Sequence, residues 1–220
     1  MLQPRVTGEL LMTARFRQLV EEFRAWAKVH PKRCGEWECE WDHWDLLYPE
    51  IQPILLRTPA ELSEAELDAI LYVLARDNEA QQVQMLLEAN PSLLLSLASR
   101  SLSESDPDAR WQLADSLARV RGAESAALLE SFASDSDEYV RRRALSAMAH
   151  SSHINTEHYA TEAFDSGTEY SQLTALHALQ QIQSSKLTGI AQNALEAKSE
   201  LVRQRAAEVL SDIAKDRGER

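Results

Sequence analysis

Large apolar residues recur along most of the chain at intervals of 31 residues. The clearest series consists of Leu86, Leu117, Met148, Leu179 and Leu210. A second series with the same interval begins at Leu113 and continues with alanine at Ala144, Ala175 and Ala206. Within each period the apolar residues also fall at helical spacing. A repeat of this length, with large and small side chains in fixed positions, predicts helices that pack closely against their neighbours.

Helix boundaries recur at the same interval. Good N-cap residues stand one period apart at Asp106, Asp137, Thr168 and Ser199. The residues that follow them are Pro107, Glu138, Glu169 and Glu200, which suit the first helical position. The rest of each period predicts a second helix, as at 126–133 and 156–164. Because one helix pair cannot bury its apolar face alone, the pairs must stack, which predicts an all-α fold: an α-solenoid of antiparallel helix pairs.

Two segments resemble a known repeat family. "DSDEYVRRRALSAMA" and "KSELVRQRAAEVLSDI" are similar to the second helix of short, lyase-type HEAT-like repeats. The matching positions are Val140, Arg141 and Ala144, and Val202, Arg203 and Ala206. The resemblance covers about residues 77–217, and the sequence departs from it at Ala109 and at Ser171-Gln172. It implies a helical repeat fold; HEAT-like families mostly bind proteins, although a few members act on pigments or damaged DNA.

One position of the repeat holds Arg110, Arg141 and Arg203. These arginines could form a basic ladder that contacts a ligand. The alternative is structural, since a guanidinium can tie one repeat to the cap or acid of the next. We favour the structural interpretation, because the position belongs to the repeat pattern itself.

The N-terminal region lacks the 31-residue register. An apolar stripe of Leu10, Phe16, Leu19, Val20, Phe23 and Ala27 predicts an amphipathic helix over 9–29. Further helices are predicted at 42–47, ending before Pro49, at 51–56, and at 63–75, where Ser63 and Glu66 form a capping box. We therefore expect a divergent helical cap over residues 1–65. It precedes a HEAT-like array of about four to five helix pairs over 66–220, in one continuous structural unit.

Charge narrows the choice of partner. The chain of 220 residues carries a net charge of −12, and residues 34–64 hold eight acids against Arg57 alone. An acidic surface repels phosphate, so nucleic acid is not expected as a ligand, whereas a protein with a basic surface is. The apolar runs are too short to cross a bilayer, and Arg15 and Arg17 interrupt any secretory signal. A soluble cytoplasmic protein is the expectation.

The stretch "GEWECEWDHWDLLYPE", residues 35–50, combines this acidity with tryptophans. As a strand or as a helix, it gives one aromatic face and one acidic face. The aromatic face could pack on the first helix and leave the acids solvated. Alternatively, the segment binds a partner through aromatic anchors within an acidic rim. The candidate partner-binding residues are Trp37, Glu38, Glu40, Trp41, Asp42, Trp44, Asp45 and Tyr48.

Signals for catalysis or metal binding are weak. His30, Cys34, Cys39 and His43 could hold a tetrahedral zinc, but their spacing differs from that of standard zinc fingers. Cys39 also stands between two tryptophans, where a small buried thiol is common. The sequence has no P-loop, no dinucleotide-binding glycine pattern and no G-x-S-x-G motif. We therefore predict no metal, no cofactor and no enzymatic activity.

Together these features predict a HEAT-like repeat protein that binds another protein. The most concrete hypothesis is an acidic immunity-type protein that binds and neutralises a basic toxin or enzyme. One alternative is an assembly adaptor or chaperone scaffold of the same fold. Another, from a different class, is a HEAT-type lyase. The sequence leaves the oligomeric state open.

Overall fold

The computed structural model describes residues 4–30, 39–103 and 105–218, with side chains from Ala14 and up to Lys215. All regular secondary structure in these ranges is helical, with no strand, so the all-α prediction is confirmed. The helices are α1 Pro4–Val29, α2 Trp44–Leu55, α3 Glu64–Leu74, α4 Gln82–Glu88, α5 Pro91–Ser101, α6 Pro107–Leu117, α7 Ala123–Ala133, α8 Glu138–His150, α9 Thr156–Asp165, α10 Glu169–Gln181, α11 Leu187–Ala194 and α12 Glu200–Gly218. A 3-10 turn, Pro59–Glu61, lies between α2 and α3.

The helices form two compact units, residues 1–116 and 117–220. In the first unit α1 packs on α2 and α3, while α4 packs on α2, α3 and α5. In the second unit α8 packs on α10 and α10 on α12, and each of α7, α9 and α11 packs on the helix that follows it. The predicted division at residues 65–66 stays a prediction.

The first unit is built on the apolar stripe of α1. Phe16, Leu19, Val20 and Phe23 are all buried there, as predicted. The helix is longer at its N-terminus than the predicted 9–29. Burial of this stripe against α2 and α3 removes the apolar face from water and so stabilises the unit.

The prediction of a helix ending before Pro49 is wrong. One helix, α2, runs through both Pro49 and Pro53. A proline inside a helix lacks an N–H donor and costs about 3 kcal/mol. The buried residues of α2 recur at helical spacing on both sides of Pro49, at Leu47, Ile51, Ile54 and Leu55. We infer that tertiary burial of this stripe outweighs the cost of the prolines.

The capping box before α3 is confirmed. The Ser63 hydroxyl oxygen accepts a hydrogen bond from the Glu66 backbone N–H at 3.3 Å, and the Ser63 N–H donates to Glu66 Oε2 at 2.8 Å. Burial alone raises the pKa of Glu66, but the bonds from Ser63 and the charges of Arg17 and Arg57 outweigh it and lower the pKa. Glu66 is therefore held as a carboxylate although it is buried.

Helices α6, α8, α10 and α12 begin one residue after the four predicted caps. The caps are not chemically equivalent. Asp137 accepts hydrogen bonds from the backbone N–H groups of Tyr139 and Val140, as expected of an N-cap. The Thr168 side chain does not cap its own helix; it donates to Glu138 Oε1 at 2.9 Å. Ser199 does both, because its hydroxyl oxygen accepts from the Val202 N–H at 3.3 Å and its hydroxyl donates to Glu169 Oε2 at 2.5 Å. Thr168 and Ser199 thus each bond the first residue of an earlier helix.

The main apolar series is buried at its centre and less so at its ends. Leu117, Met148 and Leu179 have no exposed side-chain surface, whereas Leu86 and Leu210 are half-buried. In α4 the adjacent residue Leu87 takes the buried position instead.

The arginine position has a structural role, although not the expected one. The Nη1 of Arg141 donates to the carbonyl oxygens of Asp135 and Ser136 at 2.6 and 2.9 Å. Arg203 makes the equivalent bonds to Ala197 and Lys198, and Gln172, in the same position of the third repeat, donates to the Phe164 carbonyl. Arg141 and Arg203 bond carbonyls of the turn just before their own helix, and Gln172 bonds one in the last turn of α9, where the carbonyls lack intrahelical donors. The predicted tie to the next repeat is wrong.

Helices α8 and α10 end in the same type of turn, 31 residues apart. Ser152 and Gln183 adopt left-handed conformations, with φ of 55° and 53°. Beyond them, the His153 N–H donates to the Met148 carbonyl and the Ser184 N–H to the Leu179 carbonyl, both at 2.9 Å. This is the Schellman motif, in which glycine is the usual left-handed residue because a Cβ destabilises that conformation.

Gln183→Gly should therefore stabilise the protein, by about 0.5–1 kcal/mol, because it removes the left-handed strain at an exposed side chain. The matched control is Gln181→Gly, which places the same substitution at the last residue of α10, where it should cost up to about 0.5–1 kcal/mol. Urea unfolding of the two variants measures both effects. A loss of stability in both would contradict the assignment of the turn.

Candidate functional site

An aromatic cluster joins the segment after residue 38 to α1; it consists of Phe23, Trp41, Trp44, Tyr48 and Tyr72. The Trp41 ring lies flat on Phe23, with centroids 4.2 Å apart and planes inclined by 8°. Trp44 meets Phe23 edge-on at 5.2 Å and stacks on Tyr48 at 5.4 Å. Tyr72 of α3 meets Phe23 edge-on at 5.5 Å. Stacked and edge-on pairs of this kind stabilise a core beyond the area that they bury.

A buried carboxylate fixes the other end of the cluster. Asp77 is only 2% exposed and accepts hydrogen bonds from the Tyr48 hydroxyl at 2.8 Å and from the Val83 N–H at 2.7 Å. Burial raises the pKa of Asp77, and its hydrogen bonds only partly offset the rise. Burial and the bond to Asp77 also raise the pKa of Tyr48. The carboxylate thus joins α2 to the turn between α3 and α4.

The acids of this segment lie on the outside. Glu40, Asp42 and Asp45 are exposed, and the Asp42 side chain retains 82% of its accessible surface. Leu46, in the first turn of α2, is 44% exposed. We call Glu40, Asp42, Asp45 and Leu46 the acidic edge. It rests on the aromatic cluster, so its backbone is held by buried side chains.

The structure separates the candidate partner-binding residues into three groups. Trp37 and Glu38 lie outside the described residues. Glu40, Asp42 and Asp45 are exposed. Trp41 is 3% exposed and belongs to the core, so the expectation of an exposed anchor at Trp41 is wrong, because Phe23 covers its face. Trp44 and Tyr48 are half-buried; the Trp44 indole N–H donates to the Cys39 carbonyl and the Tyr48 hydroxyl to Asp77.

The candidate zinc ligands have separate surroundings. Cys34 lies outside the described residues. His30 stacks on Trp26 with centroids 4.4 Å apart, and His43 is exposed beside Asp42. Cys39 is a buried thiol whose pKa is raised by burial. In the described ranges, no three histidine, cysteine or acidic side chains form a group that could hold a metal ion.

Sequence reasoning missed Asp77 and the arginines around Tyr72. The Arg76 guanidinium carbon lies 3.7 Å from the centre of the Tyr72 ring, and that of Arg24 lies 5.0 Å from it. The charged pair Arg76-Asp77 directly follows the apolar run of α3, which was a signal that these side chains are held close to the core.

Neither a protein-family model nor a curated protein matches the sequence. Among the helices that the structure describes, none combines the length and the apolar character needed to cross a membrane.

Trp41→Ala should lower the free energy of unfolding by about 3–5 kcal/mol, because it leaves a cavity against Phe23. Asp42→Asn, at the neighbouring exposed position, should change it by less than about 0.5 kcal/mol. Chemical denaturation followed by circular dichroism distinguishes the two variants. Equal stabilities would mean that the Trp41 ring does not pack in the core.

Asp77 should make stability depend on pH. Because its pKa in the folded state is raised above the ordinary value of 3.8, the folded state binds the proton more tightly than the unfolded state does. The stabilisation that this raised pKa contributes to the folded state is therefore fully present below pH 3.8. It is lost as the pH rises from 3.8 through the raised pKa of Asp77. The unfolding free energy of the wild type minus that of Asp77→Asn should fall over this interval and level off above it.

Urea unfolding of both proteins at a series of pH values measures this difference. Glu66, whose lowered pKa has the opposite effect, is present in both proteins and cancels. If the difference in unfolding free energy stays constant with pH, burial does not raise the pKa of Asp77, and the prediction is contradicted.

Proposed function

We propose that the protein binds another protein through the acidic edge, without catalysing a reaction. The observation that carries the proposal is the exposure of Glu40, Asp42 and Asp45 on a base of packed aromatic rings. Three carboxylates on one short segment favour a partner with a basic surface and speed its approach. The packed base limits the conformational entropy that binding costs.

The apolar part of this surface is small. Leu46 is exposed beside the acids, and Trp44 is half-buried, with its ring between Phe23 and Tyr48. Tryptophan often carries much of the binding energy of an interface when a partner covers it. We assign the role of anchor to Trp44 and Leu46 and not to the buried Trp41, which meets the Trp44 ring edge-on.

We further propose that the protein is an immunity-type inhibitor that acts in the cytoplasm on a basic enzyme. The net charge of −12 supports such a partner, because opposite net charges accelerate association. We also propose that helices α7–α12 are HEAT-like repeats with a period of 31 residues. Helix starts at Glu138, Glu169 and Glu200, and the shared turn at Ser152 and Gln183, support this period.

The first experiment is affinity capture from the cells that produce the protein, followed by quantitative mass spectrometry. The wild type is compared with the charge reversal Glu40→Lys, Asp42→Lys and Asp45→Lys. A control bait carries Glu79→Lys, Asp165→Lys and Glu196→Lys, which changes the net charge equally at other exposed positions. We expect a basic protein that the wild type and the control capture and that the acidic-edge variant loses.

Binding kinetics with that partner then separate charge from contact. The charge reversal should slow association and flatten its salt dependence, because attraction between opposite charges speeds the diffusional encounter of the two proteins. Trp44→Ala should instead speed dissociation and cost about 2 kcal/mol of binding free energy. Leu46→Ala, which leaves the aromatic cluster intact, should act in the same direction. The inhibitor proposal requires that the wild-type protein also reduces the activity of the partner. Unchanged association of the charge-reversal variant at low salt would place the binding surface elsewhere.

A further inference from the structure

Helix α2 has apolar residues on its solvent side as well as in the core. Leu46 is 44% exposed and Leu56, the C-cap residue of the helix, is 68% exposed. Between them Pro49 is exposed and Pro53 is half-buried. Their spacing in the sequence places all four on one helical face, opposite the face that packs in the core. We call these four residues the proline stripe; it begins in the acidic edge and extends over about 15 Å.

The prolines change the hydrogen-bonding capacity of this face. Burial of the opposite face offsets their cost, but it gives no reason for Pro49, whose own side chain is exposed. Because proline has no N–H, the carbonyl oxygens of Asp45 and Pro49 lack the donor that a helix normally supplies four residues later. The exposed face of α2 therefore combines apolar side chains with backbone acceptors that a partner can bond.

The residues that flank the proline stripe carry more acid than base. The stripe has the spacing at which one helix packs along another, and in such pairs the flanking residues select the charge of the partner. Asp45 and Glu50 hold two of the four flanking positions and Gln52 a third. Arg57 holds the fourth, but its Nη1 lies 3.9 Å from the carboxylate of the buried Glu66. The flanks therefore favour a partner helix that carries lysine or arginine.

We propose that the proline stripe binds a basic amphipathic helix of the partner protein. Apolar side chains of that helix cover Leu46 and Leu56, and its basic side chains bond the flanking acids and the carbonyls of Asp45 and Pro49. The inference rests on the proposed function, because the stripe begins in the acidic edge, and it adds the element that the partner presents. The net charge of −12 disfavours a second copy of this chain as the occupant, since two copies repel each other.

Fluorescence anisotropy with labelled peptides tests the inference on the full-length protein. The probe is a helical peptide of about 14 residues, with leucine on one face and lysine on the other. One control peptide has the same composition in scrambled order, and a second has glutamate in place of lysine. We expect saturable binding of the probe and no binding of the glutamate peptide. The scrambled peptide should bind at least about fivefold more weakly, because it keeps the charge but loses the apolar face.

Two leucine variants locate the binding surface without a change in charge. Leu56→Ser should weaken binding of the probe by about tenfold, because it removes an apolar side chain that the peptide covers. The matched control is Leu201→Ser, which removes a leucine that is 52% exposed in the second unit. Its affinity should stay within about twofold of the wild type, because it lies outside the proposed interface.

Pro49→Ala tests the role of the backbone acceptors. The alanine N–H can bond the Asp45 carbonyl within the helix, so this variant should be more stable than the wild type. It should nevertheless bind the probe about threefold more weakly, or worse, because a charge-assisted hydrogen bond to that carbonyl is lost. A gain in stability together with a loss of affinity cannot result from damage to the fold. Unchanged affinity would show that the carbonyl does not bind the probe.

The inference is overturned if the wild type does not bind the probe saturably, if the scrambled peptide binds as tightly, or if Leu56→Ser has no effect. A dimer of the wild type in sedimentation experiments that Leu56→Ser disrupts would also overturn it, since a second copy would then cover the stripe. The partner captured through the acidic edge separates this inference from the proposed function. If the acidic-edge charge reversal weakens its binding and Leu56→Ser does not, the proposed function stands and the inference alone fails. If neither variant weakens its binding, both fail.

Discussion

Asp77 is a buried carboxylate, and a carboxylate away from water must be supplied with hydrogen-bond donors. The first unit meets this requirement with one donor from α2, the Tyr48 hydroxyl, and one from the start of α4, the Val83 N–H. Helices α2 and α4 are therefore held to the turn after α3 through a single side chain. Tyr48 connects Asp77 to the aromatic cluster, because its ring stacks on Trp44. The Trp44 ring in turn stands edge-on to Phe23 and Trp41. The exposed acids of the acidic edge owe their fixed backbone to this sequence of contacts.

The second unit depends on a different constraint, the carbonyl groups left without partners at helix ends. Left-handed residues at Ser152 and Gln183 turn the chain so that backbone N–H groups reach back to those carbonyls. Arg141 and Arg203 supply donors to the turns before α8 and α12, and Gln172 does so before α10. Glutamine can replace arginine there because the position needs an N–H donor on a long side chain, and not a charge. The arginines that could have formed a binding ladder thus serve the fold.

The sequence allowed the local features to be predicted and not the long-range ones. Helix starts at 107, 138, 169 and 200, the Ser63 capping box and the stripe of α1 follow from short-range patterns, and all are observed. The aromatic and acidic faces after residue 38 were also predicted. Which tryptophan is buried was not predicted, because Trp41 and Trp44 both fit the aromatic face of a helix. Only the tertiary contact distinguishes them, since Trp41 lies flat on Phe23 whereas Trp44 meets it edge-on. Helix α2 continues through Pro49 because of tertiary burial, which no local rule for proline contains.

A cleft beside Tyr72, which arginines line, was beyond sequence reasoning for the same reason. Arg24, Arg76 and Arg100 are far apart in the chain, and only the packing of α1, α3 and α5 brings them to one cleft. Tyr72 belongs both to this cleft and to the aromatic cluster, since it meets Phe23 edge-on while Arg24 and Arg76 lie on it. The acidic edge and the cleft therefore share one hydrophobic base, although the arginines of the cleft are paired with acids. Loss of a ring from that base disturbs the geometry of both, whereas screening confines the effect of a changed charge mainly to its own surroundings. Surface substitutions, and not core substitutions, can thus test the acidic edge and the proline stripe without disturbing that base.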